Sequence, residues 1–443
     1  MSGKSSNTIA VLDGVRAIAC FFVICYHIHY LYSLNYNLLS VVGKPVAALL
    51  LSGWSGVTLF FVLSGFLLFM PYARAILWQE QWPSTRIFYL RRMLRILPGY
   101  YLALSILILL KHPEYLRPDH IKLLGTFLAF IMDAPATHLK INGPFWTLAV
   151  EWQYYLILPW LALVIGWFAG RGTTPEQRLR RVIYALIILI CWGVGTRYIG
   201  RYYFTFHPQD TFLVSRAVMN KFLLITYGTT GKYYEDFALG MLISAIYVYT
   251  GSAGPAHAVS KCLNRYSGWL WGGGIVWLLF LSVRAAFPLF KFLGGGLAQF
   301  NWLSEISYSL GFGLCILALL YGPRYLKRLL DGPAIRWMGL ISYSLYIWHV
   351  PVLDFVREKV LPVLPHYAML AYALYWLCAV LVALPFCYLV YRFVEKPWMQ
   401  LGHGLRAKEG RPVAPLPAAS GDDQHSRSTA SGKVSLRPLR EVM

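Results

Sequence analysis

VLDGVRAIACFFVICYHIHYLY, residues 11–32, is an apolar stretch long enough to cross a bilayer, and it carries both Arg16 and His27. At about 100° per residue, the eleven steps between them turn a helix just over three full turns. Guanidinium and imidazole therefore project from one face, about 16 Å apart along the axis. An ionisable group at membrane depth costs on the order of 3 kcal/mol or more, and such groups turn toward a protein interior or a wet cavity. A chain that bears this cost twice on one stripe has a use for the stripe.

The rest of the chain is equally apolar. It has 443 residues, 58% of them hydrophobic and 13% charged, with a mean hydropathy of +0.52. That composition argues for an all-α polytopic membrane protein and against a soluble core of this size. Ten segments read as spans, at about 9–32, 46–70, 96–111, 145–168, 182–200, 233–250, 267–284, 298–321, 337–356 and 368–393. The apolar pieces at 121–132 and 211–227 are too short or too polar to cross and read as re-entrant or interfacial helices. No cleavage pattern closes the first apolar run, so that span is expected to stay in the mature protein.

The net charge of +21 would suggest nucleic acid in a soluble protein. Much of it instead falls in short loops: Arg86, Arg91, Arg92 and Arg95, then Arg171, Arg178, Arg180 and Arg181, then Arg324, Lys327, Arg328 and Arg336. Placed inside, these select a cytoplasmic N-terminus and C-terminus, and no nucleic-acid partner is implied. The expected division is a cytoplasmic segment 1–8, a transmembrane domain 9–400 and a disordered basic cytoplasmic tail 401–443, rich in Pro, Ala, Ser and Gly. Gly272–Gly274 and Gly294–Gly296 read as packing or turn glycines. The seven cysteines have no metal spacing and read as small buried hydrophobes, so no metal is expected.

Several side chains could carry chemistry. A neutral His27 can take a proton from a hydroxyl near pH 7 and return it, and His29 follows two places on. In FYLRRMLRILP, residues 88–98, Arg92 and Arg95 stand one turn apart beside Arg91, a pattern that can fork onto phosphate oxygens. The competing account is topological anchoring or contact with lipid head groups. Glu151 in GPFWTLAVEWQYY, residues 143–155, needs a proton or a cation partner at that depth and could orient His27 or pair an arginine. Ser64 in LFFVLSGFLL, residues 59–68, offers a hydroxyl, though Ser beside Gly is more often packing. ISYSLYIWHVP, residues 341–351, adds His349 at a depth within two turns of His27. Glu305 is a further intramembrane carboxylate, whereas Glu235 and Asp236 are expected at a solvated helix end.

These motifs, with the closing FVEKPW at 393–398, resemble the acyltransferase 3 family of integral membrane O-acyltransferases over residues 9–398. The resemblance implies transfer of an acyl group from cytoplasmic acyl-CoA to a hydroxyl, commonly on a carbohydrate or glycan, at the far face of a bacterial cytoplasmic (inner) membrane. Acetyl is favoured because it is common in the family; succinyl and longer chains stay open. By position, Arg16 and His27 match the family's first-helix pair, and Arg92 and Arg95 its cofactor-side arginines. Ser64, Glu151 and His349 match other motifs. Trp152 stands where a second acidic residue is common, and the fused or partner soluble hydrolase-like domain of many members is expected from a separate protein, if at all.

On these expectations, phosphates dock on Arg92 and Arg95, His27 deprotonates the acceptor, and Arg16 or a backbone amide stabilises the oxyanion. A ping-pong variant would acylate His27 or Ser64. The alternative is a proton-coupled transporter using the same buried His, Arg and Glu. A third is a scaffold for polysaccharide synthesis, in which the buried charges would tolerate replacement.

Overall fold

The computed structural model describes residues 2–211, 213–254, 257–287, 301–328, 330–363 and 367–409, all of them helix or connecting turn. Ten long helices follow one another: α1 (Ser2–Ser33), α2 (Gly56–Trp78), α3 (Thr85–Leu110), α4 (Phe145–Ala169), α5 (Pro175–Arg201), α6 (Tyr234–Ala253), α7 (Ser267–Val283), α8 (Ser304–Tyr321), α9 (Pro333–Phe355) and α10 (Ala368–Gly402). Among the described residues, nine helices are long and apolar enough to cross a membrane. A tenth is added when Ala258–Arg265 and α7, bent by 56°, count as one span. Every expected span has its helix. The two doubtful pieces form only the short helices Ile121–Leu128 and Arg216–Thr226, about 12 and 16 Å long and unable to cross. Residues 410–443 of the expected tail, and Gly294–Gly296, lie outside the described residues.

Hydropathy makes these segments helical, because a backbone in lipid must satisfy its own hydrogen bonds. Small residues decide how they pack. A Cβ on Gly65 would lie 2.1 Å from the carbonyl oxygen of Phe237, and one on Gly240 would lie 2.0 Å from that of Val62. This reciprocal pair lets α2 and α6 cross backbone to backbone. Gly339 similarly meets the Asp13 carbonyl, drawing α9 onto α1. Beneath the first crossing, the Tyr154 and Phe237 rings stack at 3.8 Å. α1 packs along both α9 and α2, and α3 receives the last turns of α10. Large apolar side chains such as Trp160, Trp167, Trp269 and Phe393 remain exposed on the outside, as a lipid-facing surface requires.

One expectation fails at the start of α6. Glu235 and Asp236 are not solvated but buried, at 1% and 0% exposure. Arg197 of α5 donates to Glu235 at 2.6 Å and lies 3.5 Å from Glu305 of α8, while Ser309 donates to Asp236 at 2.6 Å. Neighbouring helices close over this end, and a carboxylate taken from water survives there only with cation and hydroxyl partners.

Candidate functional site

Five helices place polar side chains around one pocket, a space of about 770 Å³ that opens to solvent. α1 contributes Arg16, α2 Ser64, α3 Arg92 and Arg95, α4 Glu151, and α9 Ser342, Tyr343 and Tyr346. Asp13, one turn before Arg16, pairs with it at 3.2 Å. Arg92 and Arg95 point the same way because three residues make almost one turn. Arg91, a further 100° around, turns toward α10 at Gly402 and does not line the cavity.

Glu151 is held at its Oε1 by two hydroxyls, Ser64 donating at 2.6 Å and Tyr155 at 2.5 Å. The Ser64 proton is thereby committed to the carboxylate. Tyr155 also offers its ring to Arg92, whose Cζ is 5.8 Å from the centroid. Among the described residues, neither Arg92 nor Arg95 forms a salt bridge; Arg95 reaches only the Met399 sulfur, at 3.8 Å. Three guanidiniums therefore face a space near which Asp13, Glu151 and, as an electrostatic neighbour of Arg95, Glu395 carry carboxyl groups. Half-buried guanidiniums that form no salt bridge among the described residues, as with Arg92 and Arg95, are the physical signature of an anion site.

His27 and His349 form a second centre, outside that cavity. Each Nδ1 faces a main-chain carbonyl one turn back, His27 to Val23 at 2.9 Å and His349 to Leu345 at 3.0 Å. Since a carbonyl only accepts, both Nδ1 atoms carry the proton, a tautomer fixed by the hydrogen-bond network. His349 Nε2 is then an acceptor, and it lies 3.1 Å from His27 Nδ1. Among the described residues nothing engages His27 Nε2, whose lone pair is what a general base requires. His29 faces the other way, onto Tyr372 at 2.9 Å, and is packing.

Between the centres stands Tyr346. Its ring lines the cavity, lies 5.9 Å from that of His349, and its hydroxyl donates to Thr147 at 2.6 Å, the Thr147 proton being given to Pro144. Tyr155 and Thr147 were not singled out as site residues by sequence reasoning. The signal was present for Tyr155, which follows Glu151 by four residues and shares its helix face. Among the described residues, no cluster of His, Cys, Asp or Glu could hold a metal.

A helical membrane bundle with an anion-attracting cavity on one side and a buried, tautomer-fixed imidazole beyond it has the parts of a membrane acyltransferase. The family model described as an acyltransferase domain matches residues 9–392, and the chain belongs to the acyltransferase 3 family. The peptidoglycan O-acetyltransferase of Listeria monocytogenes is 23% identical over 89% of this chain and 56% of its own length. A putative peptidoglycan O-acetyltransferase of Bacillus subtilis is 26% identical over 87% of this chain and 54% of its own. A putative O-acetyltransferase of Staphylococcus aureus is 23% identical over 92% and 60%. The chain thus spans little more than half the length of these relatives. No solved structure matches it.

Proposed function

We propose that the protein transfers an acyl group, acetyl in the first instance, from acyl-CoA on the cytoplasmic side of a bacterial inner membrane to a hydroxyl of a cell-wall glycan on the other. Family membership and the named relatives support the reaction class and the glycan. The observation that carries the donor assignment is the cavity with three guanidiniums, two of which form no salt bridge among the described residues. Phosphate oxygens match these forks, and a thioester arm extends from them toward mid-membrane. Because the loop arginines favour the cytoplasm, this end, both termini and the tail 401–443 are assigned inside.

His27 Nε2 takes the proton of the acceptor hydroxyl as its oxygen attacks the thioester carbonyl, and returns it to the departing thiolate. His349 is a positioning residue that holds the His27 tautomer. Arg16, grouped here with Arg92 and Arg95, serves donor binding rather than an oxyanion about 16 Å further along α1. Ser64, whose proton Glu151 already accepts, holds the cavity wall with it; acyl transfer is direct. For the arm to reach His27, Tyr346 must leave Thr147.

Equilibrium binding of acetyl-CoA to the detergent-solubilised protein tests the donor site. Arg92→Gln and Arg95→Gln should each weaken binding by about 10- to 100-fold, the worth of one charge-assisted bond. Unchanged binding in both would refute the assignment.

A further inference from the structure

A short loop ahead of α4 holds two bulky residues in the left-handed region, Leu139 at φ 61° and Ile141 at φ 60°. A β-branched residue there costs on the order of 1–3 kcal/mol and persists only where its surroundings impose it. What imposes it is the next residue. Asn142 Nδ2 donates to the main-chain oxygen of Ile347 in α9, at 2.8 Å. In a regular helix that oxygen would bond the N–H four residues on, but position 351 is proline and has none. The Asn142 side chain replaces the missing donor and pins the loop to the turn that carries His349.

This bond fixes which end of the Asn142 amide is nitrogen, and its Oδ1 is left buried without a partner among the described residues. Asn142 is one wall of a cleft of about 580 Å³, closed by Lys111 and His112 at the end of α3 and by Pro351 and Asp354 on α9. Lys111 bridges Asp354 at 3.4 Å and Glu358 at 3.0 Å. The cleft is at the opposite end of α3 from Arg92, about 28 Å away at 1.5 Å per residue, close to the thickness of a bilayer core. Pro351 is two residues from His349, and Asp354 is an electrostatic neighbour of His27.

We infer that this cleft is the acceptor subsite, and that it takes the end of a polyhydroxylated carbohydrate. The Asn142 amide oxygen accepts from one hydroxyl and the Asp354 carboxylate from another, which turns a neighbouring hydroxyl toward the imidazole pair. An amide oxygen and a carboxylate lining one cleft, the carboxylate held by Lys111 and Arg357, suit vicinal hydroxyls and give an apolar acceptor nothing to bond. The inference rests on the acyl-transfer reading and assigns the second substrate's place within it.

The full chain in detergent micelles exposes both ends. Leu139, 61% exposed at the rim of the cleft, is replaced in Leu139→Cys and modified with a charged methanethiosulfonate. Wild type, whose Cys191 and Cys262 are exposed, is treated in parallel. The acceptor probe is the N-acetylglucosamine–N-acetylmuramic acid disaccharide, with radiolabelled acetyl-CoA as donor. Modification of the variant should raise KM for the disaccharide about tenfold or more with acetyl-CoA binding unchanged, and the disaccharide should slow the modification. If KM stays and there is no protection, the subsite is wrong while acyl transfer stands. If wild type neither binds acetyl-CoA nor acetylates the disaccharide, the functional reading falls and takes the subsite with it.

Discussion

Replacing His349 with leucine separates a residue that positions the base from one that is the base. His349 is 1% exposed, so a leucine of similar volume keeps the packing while removing the acceptor at Nε2 and the Nδ1–H that donates to the Leu345 carbonyl within α9. His27 Nδ1–H then loses its 3.1 Å partner but keeps the Val23 carbonyl at 2.9 Å, so no buried donor is orphaned. The loss is therefore that of one neutral hydrogen bond, about 0.5–1.5 kcal/mol, or about two- to twelvefold in kcat. Removing a general base costs about 100- to 10,000-fold instead. Transfer of radiolabel from acetyl-CoA to the disaccharide, at matched protein, gives both numbers. A His349→Leu defect as deep as that of His27→Ala, or no defect at all, would refute the argument from tautomers.

Other consequences follow from packing and charge. Gly240→Ala forces a Cβ against the Val62 carbonyl at the α2–α6 crossing and should cost about 1–3 kcal/mol, read as a lower melting temperature in detergent. Arg197→Met leaves Glu235 buried without its cation. It should cost about 3–5 kcal/mol, part of which Glu235→Gln restores in the double variant. His138, in the loop before α4 and 5.5 Å from the Trp146 ring, is held below its ordinary pKa by burial. Its contribution to loop stability is complete above about pH 6.5 and is lost as the pH falls toward the folded value. Protection factors of residues 131–143, with the intrinsic exchange rate divided out, should fall between about pH 7.5 and 5.5, and His138→Phe should remove that dependence.

Much of this was legible in the chain. Hydropathy located every span, since only helices satisfy their backbone in lipid. Helical arithmetic put Arg92 beside Arg95, and depth counting put His349 within reach of His27. What escaped was whatever depends on two distant segments meeting. Glu235 and Asp236 looked like a solvated end because Arg197 and Ser309, which cover them, are far off in sequence. Arg16 and His27 share a stripe, but only Arg16 lines the cavity, with Tyr346 of α9 standing between it and the imidazole pair. Asn142 had no signal of its own; its role exists only because Pro351 opened a carbonyl on another helix.

The central claim is that a thioester on one side of the membrane and an alcohol on the other meet at His27. Vesicles loaded with radiolabelled acetyl-CoA, with the disaccharide outside, test it directly. The account predicts labelled disaccharide outside with wild type, and about 100-fold less or lower still with His27→Ala at equal expression. Full transfer by His27→Ala, or passage of unmodified disaccharide across the membrane, would contradict it.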